Sequence, residues 1–213
     1  MIKLEKYPKP EVLVANEVTW TEEFIRLVAG DTSVPKAARY RYRHPDIKST
    51  LRSECSDKCI FCESKISHVF PGETDHIIPL SRKQEDVVKW ENLGYVCKEC
   101  NRNKSNYHDV NLPLVNPFVD DPDEHLLFFG PIILAKPSNN RGQITVDLLK
   151  LSRSALVERK KERIDQVKLL IDRIGCFPDG EAQDFLKNQV LEEAGGSKEY
   201  SATISAYLNA VFT

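Results

Sequence analysis

The sequence predicts an α+β chain, with a small metal-stabilised core of short strands flanked by helical extensions at both ends. Three observations carry that expectation. Cysteines recur in two Cys-x-x-Cys pairs, Cys59/Cys62 and Cys97/Cys100. The segment between them is short in apolar runs and rich in turn residues, whereas apolar residues at three- to four-residue steps mark both ends of the chain. At 213 residues with 41% hydrophobic and 29% charged content, the chain is long enough to bury a core yet carries no apolar run of the ~18 residues a membrane span needs.

From the amino terminus, Pro8, Pro10 and Pro35 punctuate short elements. Thr19 or Thr21 is expected to cap a helix through about Val28, with Trp20, Phe24, Ile25 and Val28 on its core-facing stripe. Residues 1–54 thus read as a helical, basic extension. Residues 55–107 form the cysteine-rich core, where metal must supply the stability that hydrophobic burial cannot. Residues 108–213 read as a hairpin and helical extension packed on that core. Here Leu126-Leu127-Phe128-Phe129 is expected as a buried strand and Gln143-Ile144-Thr145-Val146 as its hairpin partner. A helix from near Ser152 to Ile174 follows, its apolar stripe interrupted by Lys160, and then helices over Glu181–Ala194 and Ser201–Phe212. There is no internal repeat.

The polar segment from Met1 to Pro10 lacks an apolar signal-peptide region, which makes the cytoplasm the expected compartment. Thiols stay reduced there, so paired cysteines favour metal over disulfides. Two Cys-x-x-Cys turns offer four soft ligands to one tetrahedral zinc, leaving no open position, and such a site is architectural. Disulfide or chance pairing is the alternative. Cys55 and Cys176 read as small buried residues.

A formal charge of −2 excludes bulk attraction to nucleic acid, so any contact must be local. The segment from Lys36 to Ser53 is one patch, with Arg39, Arg41 and Arg43 interleaved with Tyr40 and Tyr42. It suits phosphate contact with stacking, and equally a solvated helix face or partner surface.

Between the cysteine pairs stand Asp75-His76-Ile77-Ile78-Pro79 and Asn92-Leu93, and the second pair runs on as Cys97-Lys98-Glu99-Cys100-Asn101-Arg102-Asn103-Lys104. In order and spacing these segments resemble the HNH endonucleases of the ββα-metal type. The resemblance implies a zinc-stabilised ββα-metal HNH core that hydrolyses phosphodiester bonds in DNA. It further implies that Asp75 and Asn101 ligate a catalytic Mg²⁺ or Mn²⁺, that His76 is the general base, and that Asn92 ties the loop orienting it. Asn101, where many members carry His, disfavours softer metals, and Asn103 is its fallback. Arg102 and Lys104 are further phosphate-contact candidates, whereas His68, His108 and His125 read as structural or surface residues.

Similarity outside the motif runs through Cys62-Glu63-Ser64-Lys65-Ile66, Asn116-Pro117, Phe128-Phe129-Gly130-Pro131 and Leu148-Leu149-Lys150-Leu151-Ser152-Arg153. These segments resemble the nuclease subunits of Septu-type anti-phage systems, some of them attached to retrons. That resemblance implies a PtuA-like ABC-type ATPase partner and, in retron-attached forms, a reverse transcriptase with its RNA/DNA. A stand-alone restriction- or homing-type nuclease and an inactive zinc-ribbon nucleic-acid-binding module are the alternatives.

Overall fold

The computed structural model describes residues 1–30, 33–67 and 70–212; His68 lies outside the described residues. Helix α1 (Glu11–Ala29) starts directly after Pro10 and ends at Gly30, burying Leu13 and Phe24. No threonine cap starts it, contrary to expectation. The first turn is held instead by Leu13, which is fully buried and adds a tertiary anchor that outweighs the local cap signals at Thr19 and Thr21.

Next come the short helix α2 (Lys36–Arg39), a 3₁₀ turn at Arg41–Arg43 and helix α3 (Pro45–Glu54). Pro45 opens α3 and the His44 side chain caps it by accepting from the Asp46 backbone N–H. Ala38, Tyr42, Ile47 and Leu51 face inward, so the basic segment is amphipathic and packed on the core.

Strand β1 (Glu73–His76) pairs antiparallel with β2 (Leu93–Val96), setting Asp75 opposite Gly94 and His76 opposite Leu93. A Cβ on Gly94 would lie 2.5 Å from Ile60 Cδ1, which explains why the position opposite Asp75 carries no side chain. Helix α4 (Lys98–Lys104) follows β2 and completes the ββα unit, with Cys97 Sγ accepting from the Cys100 N–H at 3.4 Å.

Strands β3 (Leu126–Phe129) and β4 (Ile132–Ala135) form the second hairpin, with Leu127 paired to Leu134 and Phe129 to Ile132. The expected partner, Gln143–Val146, lies instead within helix α5 (Asn140–Leu149). Its β-branched run favoured a strand, but Asn139 Oδ1 caps the helix by accepting from Gly142 N–H at 2.8 Å. Gly142 lets the helix approach so closely that a Cβ would sit 2.3 Å from the His125 carbonyl. Gly130, at φ 53°, turns the chain straight from β3 into β4. The strand is also only half buried, because Leu126 faces the core while Leu127 and Phe129 face outward.

Helices α6 (Ser154–Ile174), α7 (Glu181–Glu192) and α8 (Ser201–Phe212) complete the chain, and Val167, Ile174, Val190, Ile204 and Leu208 form their shared apolar cluster. A larger cluster joins α1, α3, the strands, α5 and the start of α6. Cys55 is buried as expected, and burial pushes its thiol up to about 12, which keeps it inert. Cys176 is exposed rather than buried, because it falls in the turn between α6 and α7. Among the described residues, no helix is long and apolar enough to cross a membrane.

Candidate functional site

Four thiols converge where the turn before β1 meets the start of α4. The sulfurs of Cys59, Cys62, Cys97 and Cys100 all lie within 4.8 Å of one another, and Cys62 Sγ is 3.8 Å from Cys97 Sγ. A zinc with ~2.3 Å bonds has tetrahedral edges of about 3.8 Å, so the donor set fits zinc in kind and spacing. All six cysteines are free. Two cations stand against this cluster. Burial works against the Arg153 charge, but the thiols of Cys100, Cys62 and Cys97 outweigh it and hold the guanidinium pKa above its ordinary value. Burial pushes Lys160 down to about 8, with Cys62 and Glu63 opposing the fall.

Glu63 ties the knuckle to the carboxyl-terminal helices. Its carboxylate accepts from Ser201 Oγ at 2.6 Å and pairs with Lys58 at 3.4 Å and with the Met1 amine. Tyr200 Oη lies 3.0 Å from Ser64 Oγ.

A second polar centre opens along β1, a cavity of about 380 Å³ lined by Tyr42, Arg43, Lys48, Asp75, His76 and Asn101, with Gly72 to Thr74 along its edge. His76 is buried, and its Nε2 lies 2.9 Å from the Val87 carbonyl oxygen. A carbonyl can only accept, so Nε2 carries the proton and Nδ1 is the basic nitrogen. Burial holds the His76 pKa below its ordinary value, so the ring is neutral at neutral pH.

Two buried oxygens of the cavity, Asp75 Oδ2 and Thr74 Oγ1, lack a hydrogen bond. Asp75 Oδ2 lies 3.2 Å from Lys104 Nζ, yet it is buried without a hydrogen bond of acceptable geometry. The short distance reports an ion pair; the angles deny it a directed bond. Burial pushes the carboxyl up to about 6 despite the nearby ammonium. Asn101 Nδ2 donates to Glu73 Oε2 at 2.5 Å. Because a carboxylate accepts only, this contact fixes the carboxamide with Oδ1 as its free donor atom for a cation. A buried carboxylate oxygen with an ion pair but no hydrogen bond and a free amide oxygen line the same cavity, a hard-donor set that fits Mg²⁺ or Mn²⁺.

Asn92 stays outside the cavity. Its Oδ1 accepts from Ile78 N–H at 2.7 Å and its Nδ2 donates to the Ile78 carbonyl at 3.0 Å, closing the loop that leaves β1. Asn103 points elsewhere, donating to the Leu149 carbonyl.

The cation candidates separate. Lys104, expected as a phosphate contact, is 1% exposed and donates to the His76 carbonyl at 2.9 Å, so it braces the site from within. Arg41 pairs with Glu23 at 2.7 Å and Arg102 with Glu99 at 2.6 Å, so each already faces a carboxylate. Arg39 is exposed away from the cavity, and Arg43 lines it. Sequence reasoning did not single out Glu73, Lys48 or Tyr42 for the site. The last two belonged to the basic, aromatic segment that drew attention as a patch, while nothing local marked Glu73.

Residues 59–107 match the HNH endonuclease family. Over 224 residues the chain is 28% identical to the Septu protein PtuB of Bacillus thuringiensis, an alignment covering 98% of this chain and 82% of that protein. It is 25% identical over 214 residues to the Septu protein PtuB of Bacillus mycoides (strain KBAB4), covering 79% and 69%. With the ββα unit and the thiol cluster falling inside the matched segment, the chain carries an HNH endonuclease segment and is similar to PtuB along nearly its full length.

Proposed function

We propose that the cavity hydrolyses phosphodiester bonds in DNA, with Asp75 and Asn101 holding a catalytic Mg²⁺ or Mn²⁺ and His76 acting as general base. The observation that carries this reading is the fixed tautomer of His76, whose basic Nδ1 shares a cavity with the orphaned Asp75 oxygen. His76 takes the proton of a water as its oxygen bonds to phosphorus. The bond from phosphorus to the 3′ oxygen breaks in line, and that oxygen is protonated from solvent. When bound, the cation supplies charge stabilisation for the phosphoryl and leaving oxygens. Val87 keeps the imidazole in one tautomer, Asn92 fixes the loop behind it, Lys104 braces the Asp75 carboxylate, and Arg43 offers positive charge to the phosphate. The four cysteines hold a structural zinc that takes no part in the chemistry.

Similarity to PtuB supports a place in Septu anti-phage defence, in the cytoplasm, beside a PtuA-like ABC-type ATPase. The relatives are named for Septu alone, so no retron component is included. A stand-alone nuclease would share this chemistry, and co-purification from cells expressing both genes separates the two readings.

Cleavage of supercoiled plasmid with Mn²⁺ or Mg²⁺ tests the chemistry. His76→Ala is expected to lose about 10²- to 10⁴-fold in rate while keeping its zinc. Undiminished cleavage by that variant would remove His76 as the base.

A further inference from the structure

Near the cavity, the cations differ in what holds them. Arg41 faces Glu23, Arg52 faces Asp57 and Lys104 faces Asp75, while Lys48, which lines the cavity, donates to the Gly72 carbonyl at 2.9 Å. Arg43, among the described residues, pairs with no carboxylate. It is held by rings instead. Its Cζ lies 4.4 Å from the Tyr40 ring centroid and 5.3 Å from that of Tyr42, and its Nε donates to Tyr42 Oη at 3.2 Å. The Tyr42 ring in turn meets His76 edge-on, with centroids 4.6 Å apart and planes at 63°. Tyr42 is 8% exposed and belongs to the main apolar cluster with Ile47 and Leu51 of α3.

We infer that Tyr42 is a positioning residue of the nuclease site: its ring edge fixes the His76 imidazole while its hydroxyl oxygen aims the Arg43 guanidinium into the same cavity. One rigid side chain thereby sets the distance between the base and the cation that receives the phosphate. A neutral partner is the physical requirement here. A carboxylate in place of the phenol would cancel the Arg43 charge and repel the substrate, whereas aromatic faces and a hydroxyl hold a guanidinium without neutralising it. Burial pushes the Tyr42 phenol above its ordinary pKa, so it stays uncharged throughout the neutral range. The 3₁₀ turn Arg41–Arg43 makes the arrangement possible, since it sends Tyr42 inward and leaves Arg43 at the mouth.

The inference rests on the proposed nuclease chemistry, so cleavage and binding are measured separately on the full chain, with its ATPase partner where the pair co-purifies. Steady-state plasmid nicking in Mn²⁺ gives kcat and KM, and anisotropy of a fluorescent DNA duplex in Ca²⁺ gives affinity without relying on turnover. Tyr42→Phe keeps the ring and removes the oxygen; KM and Kd are expected to rise about fivefold with kcat within about twofold. Tyr42→Leu removes the ring and is expected to lower kcat at least tenfold or so, with zinc content and melting checked. Should the Leu variant fail to fold, the decision falls to the pair Tyr42→Phe and Arg43→Gln. If Tyr42 acts through Arg43, the Phe substitution changes nothing further in Kd once Arg43 is Gln. An equal Kd penalty in both backgrounds, or no penalty in either, overturns the inference. If His76→Ala cleaves normally while the binding coupling persists, the proposed role of His76 falls and the aiming of Arg43 by Tyr42 stands.

Discussion

The thiol cluster and the cavity share helix α4, which gives Cys100 to one and Asn101 to the other, and they treat polar groups in opposite ways. At the cluster the polar groups are met: four sulfurs lie at the spacing of one tetrahedral ion, the Arg153 guanidinium feels the thiols, buried Lys160 donates to the Leu151 carbonyl, and the neighbouring Glu63 is met by Lys58, Ser201 and the Met1 amine. In the cavity Asp75 Oδ2 and Thr74 Oγ1 are buried without hydrogen bonds, and Arg43 lacks a carboxylate. A centre built for stability satisfies its donors internally. One built for chemistry leaves some of them for the substrate and its metal, and the cost is borne by the rest of the fold.

That contrast predicts where damage is global. Cys100→Ser removes one of four zinc ligands and is expected to abolish stoichiometric zinc and lower the melting temperature by more than about 10 °C, since structural zinc contributes on the order of 10 kcal/mol to small domains. Asn101→Ala, one residue away but facing the cavity, is expected to lose metal-dependent cleavage with little change in melting. Similar melting losses in both would erase the distinction. A smaller effect is expected at Lys160, whose buried ammonium donates to the Leu151 carbonyl at 3.3 Å and feels the Cys62 thiol through space. Lys160→Met should lower zinc affinity by no more than about tenfold in competition with a chromophoric chelator, and Lys160→Arg should restore most of it. Unchanged affinity in the Met variant would mean that the cluster needs no counter-charge.

The same contrast decides what could be read from the chain. Ligand spacing in the Cys-x-x-Cys turns and the run Asp75-His76 are local patterns, and so were visible. Asn101 shares that advantage, because the second cysteine pair opens the helix that carries it. Contacts between distant segments were not visible. Tyr42 reaches His76, and Glu73 reaches Asn101, only once the 3₁₀ turn Arg41–Arg43, β1 and α4 are packed together. Two lysines sit where a charge is costly and the sequence alone does not place it. Lys104, read as a phosphate contact, is buried against Asp75, and Lys160, which interrupts an apolar stripe, is buried with its ammonium on the Leu151 carbonyl. Propensity misled at Ile144-Thr145-Val146, where the Asn139 cap and the close approach at Gly142 override three residues that favour strands.

Asp75 offers the finest test, because it puts a sign on the cost of leaving a group unsatisfied. Burial, partly offset by Lys104, raises its carboxyl from 3.8 to about 6. Between those values the folded chain holds a proton that the unfolded chain has released, so stability falls as pH rises across that window. Above it the fold bears the buried charge, a penalty on the order of 1–3 kcal/mol. With zinc retained and no Mg²⁺ or Mn²⁺ added, Asp75→Asn is therefore expected to melt a few degrees above the parent at pH 7.5, and the gap should shrink as pH is lowered towards 5. Added Mg²⁺ should raise the melting temperature of the parent and leave that of the variant unchanged, because only the carboxylate gains a partner. If the variant instead melts below the parent without Mg²⁺, the Lys104 pair outweighs burial. The cavity would then be as internally satisfied as the cysteine knuckle, and its unpartnered oxygen would no longer argue for a metal.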